Sequence, residues 1–169
     1  MPNRLLPLNP QRNKGNLNRF LIVGFSLFLT ACTESDLFHA SLPTSPTAWV
    51  RNDSLQWKVN VTDTLKPYGV WIEIRNDNRF EYRNLGLEVI EIAPDSTVVR
   101  RDTMNYFLMD ENGKWTGSGW GSLYTGSFLF DSEMIFPASG EYTFIIRPAL
   151  TDKRITGIHS IGLRIGMKK

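Results

Sequence analysis

Alternation with a period of two narrows most what this chain can fold into. Leu55, Trp57, Val59 and Val61 recur at every second residue, as do Val70, Ile72 and Ile74 after Pro67, and Leu85, Leu87 and Val89 repeat the pattern. Tyr106 to Met109 falls in another aromatic and apolar run, and stretches 122–130, 133–136, 141–147 and 161–165 complete the series. Side chains two apart on an extended chain share one face, so such runs, rich in β-branched and aromatic residues, predict half-buried strands. The breaks between them are turn-forming: Asn76-Asp77-Asn78, Pro94-Asp95-Ser96, Glu111-Asn112-Gly113 and Ala138-Ser139-Gly140. A helical turn is expected only around 149–154. About eight short strands predict an all-β domain, an antiparallel β-sandwich of jelly-roll type. Trp57 and Trp71 both lie in alternating runs, and at least one of them belongs in the core.

The first 31 residues stand outside this pattern. Arg4, Arg12, Lys14 and Arg19 precede an apolar run at 20–29, followed by Thr30-Ala31-Cys32, with no acidic residue before Glu34. A basic start, a short apolar stretch and small residues before a cleavage point predict a secretory signal peptide. The apolar run is about half of the roughly 20 residues that a bilayer-spanning helix needs, so an anchor rather than a span is expected. Leu29, Thr30, Ala31 and Cys32 match the lipobox of bacterial lipoproteins. Only the thiol of Cys32 can take a diacylglyceryl thioether, and the small residues before it admit the peptidase. Cys32 is the sole cysteine, so no intramolecular disulfide is available to the chain. Acyl chains bury at about 0.8 kcal/mol per methylene, which makes the covalent lipid a firm membrane anchor. Thr33, rather than an Asp that retains some proteobacterial lipoproteins at the inner membrane, favours the outer membrane.

The expected organisation is therefore a signal peptide at 1–31, a lipidated cysteine and Ser/Thr/Pro-bearing tether at 32–53, and a sandwich domain at 54–169. Removing 1–31 takes four of the 19 basic residues and none of the 17 acidic ones, which turns a formal charge of +2 into −2. No Lys/Arg cluster of the kind that tracks phosphates remains, so nucleic acid is excluded as a partner.

Catalytic and metal signatures are sparse. His39 and His159 fall in separate regions, without His-Glu-x-x-His or paired-cysteine spacing, and no metal or other cofactor is expected beyond the acyl lipid on Cys32. No Gly-x-Ser-x-Gly elbow is present, and the scattered carboxylates sit in turns or at outward positions that suit a solvated face. Asn76-Asp77-Asn78 lacks the longer acidic loop of a calcium-binding hand. The reading is of a protein without a catalytic set, not an enzyme. The most distinctive segment is Gly113-Lys-Trp-Thr-Gly-Ser-Gly-Trp-Gly121. On an extended chain Gly117, Gly119 and Gly121 share one face with Trp115, while Trp120 falls on the other. Either the glycines admit a neighbouring group or a bend, or they leave a shallow platform where Trp115 or Trp120 stacks on sugar or peptide.

With these features in order, the chain resembles the GldH family of gliding-motility lipoproteins of Bacteroidetes over residues 67–166. The resemblance is carried by 70–76 followed by Phe80-Glu-Tyr-Arg-Asn-Leu85, then Arg101-Asp102-Thr103 and Gly113-Lys-Trp-Thr-Gly-Ser-Gly119. Phe136-Pro137, Gly140-Glu-Tyr-Thr-Phe144, Gly157-Ile158 and Ile161-Gly-Leu-Arg-Ile165 complete it. It departs at Ala149-Leu150-Thr151, which stands in place of a Met-Arg pair, so no arginine role is carried over there. The resemblance implies a noncatalytic envelope lipoprotein that serves gliding, associates with type IX secretion machinery and docks onto other envelope proteins. The alternative is a carbohydrate- or peptidoglycan-binding module using Trp115, Gly117, Gly119 and Trp120.

Overall fold

The computed structural model describes residues 36–149 and 154–167. Its strands are β1 (Phe38–Pro43), β2 (Leu55–Val61), β3 (Tyr68–Asp77), β4 (Asn84–Ile92), β5 (Val98–Phe107), β6 (Ser118–Trp120), β7 (Leu123–Met134), β8 (Gly140–Pro148) and β9 (Ile158–Gly166), and the described residues include no helix. They form two sheets, one in the order β1-β9-β3-β7-β6 and one in the order β2-β8-β4-β5, with every pairing antiparallel. Without the short β6, the order β1-β9-β3-β7 over β2-β8-β4-β5 is the double Greek key of a jelly roll, as the alternation predicts.

Alternation decides what enters the core. In β2, Trp57, Val59 and Val61 are buried while Gln56, Lys58 and Asn60 face water, and across from them Tyr142, Phe144 and Ile146 of β8 are buried too. Val70, Ile72 and Ile74 of β3 and Ile161, Leu163 and Ile165 of β9 line the facing sheet. Phe136 joins the layers, with its ring edge-on to Tyr142 at 4.8 Å and to Phe144 at 6.5 Å, and tilted against Tyr68 at 5.8 Å. Of Trp57 and Trp71, Trp57 is thus the one in the core, whereas Trp71 points outward beneath the Arg164 guanidinium, 3.8 Å from its ring.

Three expectations change. The largest change is the tether at 32–53. Its residues Phe38–Pro43 form β1, paired in register with β9, and Thr44 Oγ1 donates to the Ile158 carbonyl at 2.5 Å. Trp49 is fully buried, bridges Ile155 through backbone hydrogen bonds and donates from Nε1 to the Asp53 carbonyl. Phe38, Ala40 and Leu42 do alternate, but an edge strand buries only part of one face, and the Ser/Thr/Pro composition hides the short run. Second, 133–136 is no separate strand: β7 runs unbroken to Met134, and Phe136 lies in the loop that follows. Third, the run at Tyr106–Met109 is only the tail of β5, an edge strand whose exposed Val98, Val99, Met104 and Phe107 erase the alternation. The signal peptide, the lipobox residues Leu29, Thr30 and Ala31, and Cys32 lie outside the described residues, as do 150–153 of the expected helical turn.

The register defines two ends. At the near end the chain enters β1, with Phe38 opposite Ile165, Gly69 opposite Gly166 and Tyr68 opposite Met134. At the far end Pro43 lies opposite Ser160, Asn76 opposite Ile158 and Asp77 opposite Leu123.

Candidate binding end of the sandwich

The far end gathers the glycine-rich segment and a polar recess. Trp120 pairs with Leu123 across a two-residue turn, Gly121-Ser122, in which Gly121 has φ 66°. Positive φ at the first central residue is the glycine-favouring geometry of a tight hairpin. The turn carries Trp120 outward, where its side chain is 97% exposed.

The glycine face is no open platform. A Cβ on Gly119 would stand 1.8 Å from the Leu123 carbonyl oxygen, and one on Gly117 would stand 2.8 Å from the Thr125 carbonyl. The β7 backbone fills that face, so these two glycines permit close strand approach. Trp115 is also occupied. Its ring stacks on Tyr124 at 5.0 Å and 21°, and its Nε1 donates to Asn78 Oδ1 at 3.2 Å. Of the four residues singled out by sequence, Trp120 stands almost wholly in water, Trp115 is half-buried against Tyr124, and Gly117 and Gly119 lie against the β7 backbone.

Two strands away along the same end lies a feature that sequence reading missed. Asp77 Oδ2 accepts from His159 Nε2 and Arg79 Nε, each at 2.8 Å, while Oδ1 accepts from the Arg79 backbone N–H at 2.8 Å. Burial alone would raise the Asp77 carboxyl, but the hydrogen bonds from His159 and Arg79 outweigh it and hold the group below its ordinary value. Arg79 and His159 border a recess of about 390 Å³ shared with Ser45, Thr47 and Thr156. Asn76-Asp77-Asn78 reads as a turn, and His159 lies more than eighty residues away in sequence. Only the β3–β9 register brings them together.

His159 Nε2 is committed to Asp77, and the second histidine, His39, pairs with Glu73 at 2.9 Å on the outer face of the β1-β9-β3 sheet. Among the described residues no group of three or more His, Cys, Asp or Glu side chains is placed to hold a metal ion.

Residues 36–165 match the family model described as GldH lipoprotein. The chain belongs to the GldH lipoprotein family. The match begins inside the segment first read as tether, in accord with β1 being part of the domain. Two GldH relatives are similar over most of their length. The Gliding motility lipoprotein GldH homolog of Christiangramia forsetii is 29% identical over 69% of this chain and 76% of its own. The Gliding motility lipoprotein GldH of Flavobacterium johnsoniae is 22% identical over 89% of this chain and 97% of its own. Among solved structures, the infectious bursal disease virus VP2 subviral particle is similar at a TM-score of 0.32 and 12% identity, over 79% of this GldH-family chain. The match spans about a third (32%) of that VP2 chain's length, and a likeness this loose carries no argument about function.

Proposed function

We propose that this protein is a noncatalytic lipoprotein of the cell envelope, tied to the outer membrane by acyl lipid on Cys32, which serves gliding motility and its associated type IX secretion machinery. It acts by docking another envelope protein at the far end of the sandwich. Family membership and the names of its relatives support the process, and the lipobox supports the anchor. The observation that carries the docking site is Trp120, 97% exposed on a hairpin whose Gly117 and Gly119 lie close against the β7 backbone. A large aromatic presented to water on a hairpin has most of its surface left to bury against a partner, and tryptophan is enriched among interface hot spots. Photo-cross-linking from the hairpin in membranes of cells making the full lipoprotein tests this reading. A discrete cross-linked envelope protein, lost with Trp120→Ala, is expected; an identical pattern in the variant would sink it.

The recess at the same end as Trp120 favours a second reading, a module that binds glycan or peptidoglycan. Hydroxyls of Ser45, Thr47 and Thr156 and the charged Arg79 border a hollow of sugar-sized volume, and a sugar ring could stack on Trp120. Calorimetry against muropeptides and glycans, with Trp120→Ala as control, decides it; no heat from any ligand ends the glycan reading. Protease digestion of intact against lysed cells, with a Cys32→Ser control, reports which side of the membrane presents the domain.

A further inference from the structure

The near end carries an apolar surface that the docking reading leaves unused. Leu65, in the β2–β3 loop, is 93% exposed, and Ile135, just after β7, is 65% exposed. Both neighbour the Tyr68–Met134 pair that closes this end of the sheet, and exposed Met167 follows Gly166, which lies opposite Gly69. Exposed Val98 starts β5 at the same end, and Lys66, paired with Asp63 at 3.2 Å, stands at the rim. Lys168 and Lys169 follow Met167 in the sequence.

The same end receives the chain from Cys32. Asp36 lies against Gly166, close enough that a Cβ there would meet its carboxylate, and it pairs with Arg164 at 3.5 Å. Three residues lie between Cys32 and Asp36, so the four Cα-to-Cα steps reach about 14 Å at full extension. The ten residues of β3 span about 33 Å, more than twice that reach, so an anchor at Cys32 cannot hold the domain inverted, with the far end on the bilayer and the near end a strand length above it.

We propose that the near end rests on the bilayer surface, with Leu65, Ile135 and Met167 dipping into the interface and Lys66 among the headgroups. The occupant of this apolar surface is lipid, and the proposal rests on the lipidation of Cys32. Apolar groups of surface-bound proteins reach about 5–10 Å into the headgroup boundary, a depth that loop side chains can attain. The domain then stands upright on a short stalk, and Trp120 points away from the membrane.

The test uses the full lipoprotein, purified from membranes into vesicles of phosphatidylethanolamine and phosphatidylglycerol. With Cys32 acylated the wild type has no free thiol, so Leu65→Cys and Trp120→Cys each offer one site for an environment-sensitive dye. The expected result is that wild type takes no dye and floats with the vesicles. The dye at position 65 loses its fluorescence to nitroxide-bearing lipids, and the dye at position 120 keeps it. Floating protein with position 65 unquenched, because a protein partner or water covers that end, would overturn the orientation while leaving the anchor intact. Equal quenching at both positions would overturn it as well. Wild-type protein that takes dye and does not float would refute the Cys32 reading, and the orientation with it.

Discussion

Two glutamates three residues apart on β4 respond in opposite ways to their surroundings. Glu88 lies on the outer face of its sheet with its side chain only 9% exposed, beneath Arg101 at 2.8 Å, Arg147 at 2.5 Å and Arg51 at 3.5 Å. The Arg147 hydrogen bond leads in holding its carboxyl below the ordinary value; burial opposes, and Arg101 assists. Its contribution to stability is therefore complete above the unfolded-state value near 4.5 and is lost as pH falls through the lower folded value. Glu88→Gln should cost about 2 kcal/mol at pH 7, the worth of charge-assisted hydrogen bonds to partly exposed partners. Urea unfolding at neutral and acidic pH checks this, since the gap from wild type should close on acidification. Glu91 faces inward, and burial raises its carboxyl, with Asp131 adding to the rise and Arg100 opposing it. A raised value reverses the sign: the contribution is present below about 4.5 and is lost as pH rises through the folded value. Glu91→Gln should therefore raise the unfolding midpoint at pH 7, and the gain should vanish toward acid, where the native carboxyl is itself neutral.

At the scale of elements, the strands with one dry face were legible, the edge strand β2 among them, and the edge strands without one were not. β2, β3, β8 and β9 announce themselves because each buries alternate side chains against the opposite sheet. β1 and β5 lie at sheet edges, where fewer apolar residues suffice or both faces meet water, so periodicity weakens. β6 is three exposed residues, and its place is set by Gly117 and Gly119 fitting under β7, a long-range fact that no local pattern encodes. The hairpin tryptophan was visible as a candidate, whereas the Asp77–His159–Arg79 cluster depends on a register between distant strands. The cost of missing β1 can be measured. A fragment beginning at residue 54 lacks the β1 pairing to β9 and the fully buried Trp49, whose loss alone is worth about 3–5 kcal/mol. Such a fragment should give no cooperative thermal transition, whereas one beginning at residue 36 should unfold in a single step; circular dichroism melts distinguish the two.

The whole molecule is closed by its first and last strands, since Phe38 must find Ile165 before the β1-β9-β3-β7 sheet is complete. Pairings this distant in sequence make folding slow and all-or-none, so damage to the central aromatic cluster is felt by every element. Phe136 touches Tyr68, Tyr142 and Phe144 and is fully buried, so Phe136→Ala should lower stability by about 3–5 kcal/mol. Trp120 is the opposite case. At 97% exposure it has almost no buried area to lose, and Trp120→Ala should change stability by no more than about 0.5 kcal/mol. The two variants separate the fold from its use. Denaturant midpoints should drop only for Phe136→Ala, while capture of an envelope partner should fail for Trp120→Ala although that variant remains folded. If Trp120→Ala instead unfolds as readily as Phe136→Ala, the hairpin is structural, and the far end loses its claim as a docking surface. A folded variant that still captures its partner would move the contact to another face, and the exposed edge of β5, with Met104 and Phe107, would be the next to mutate.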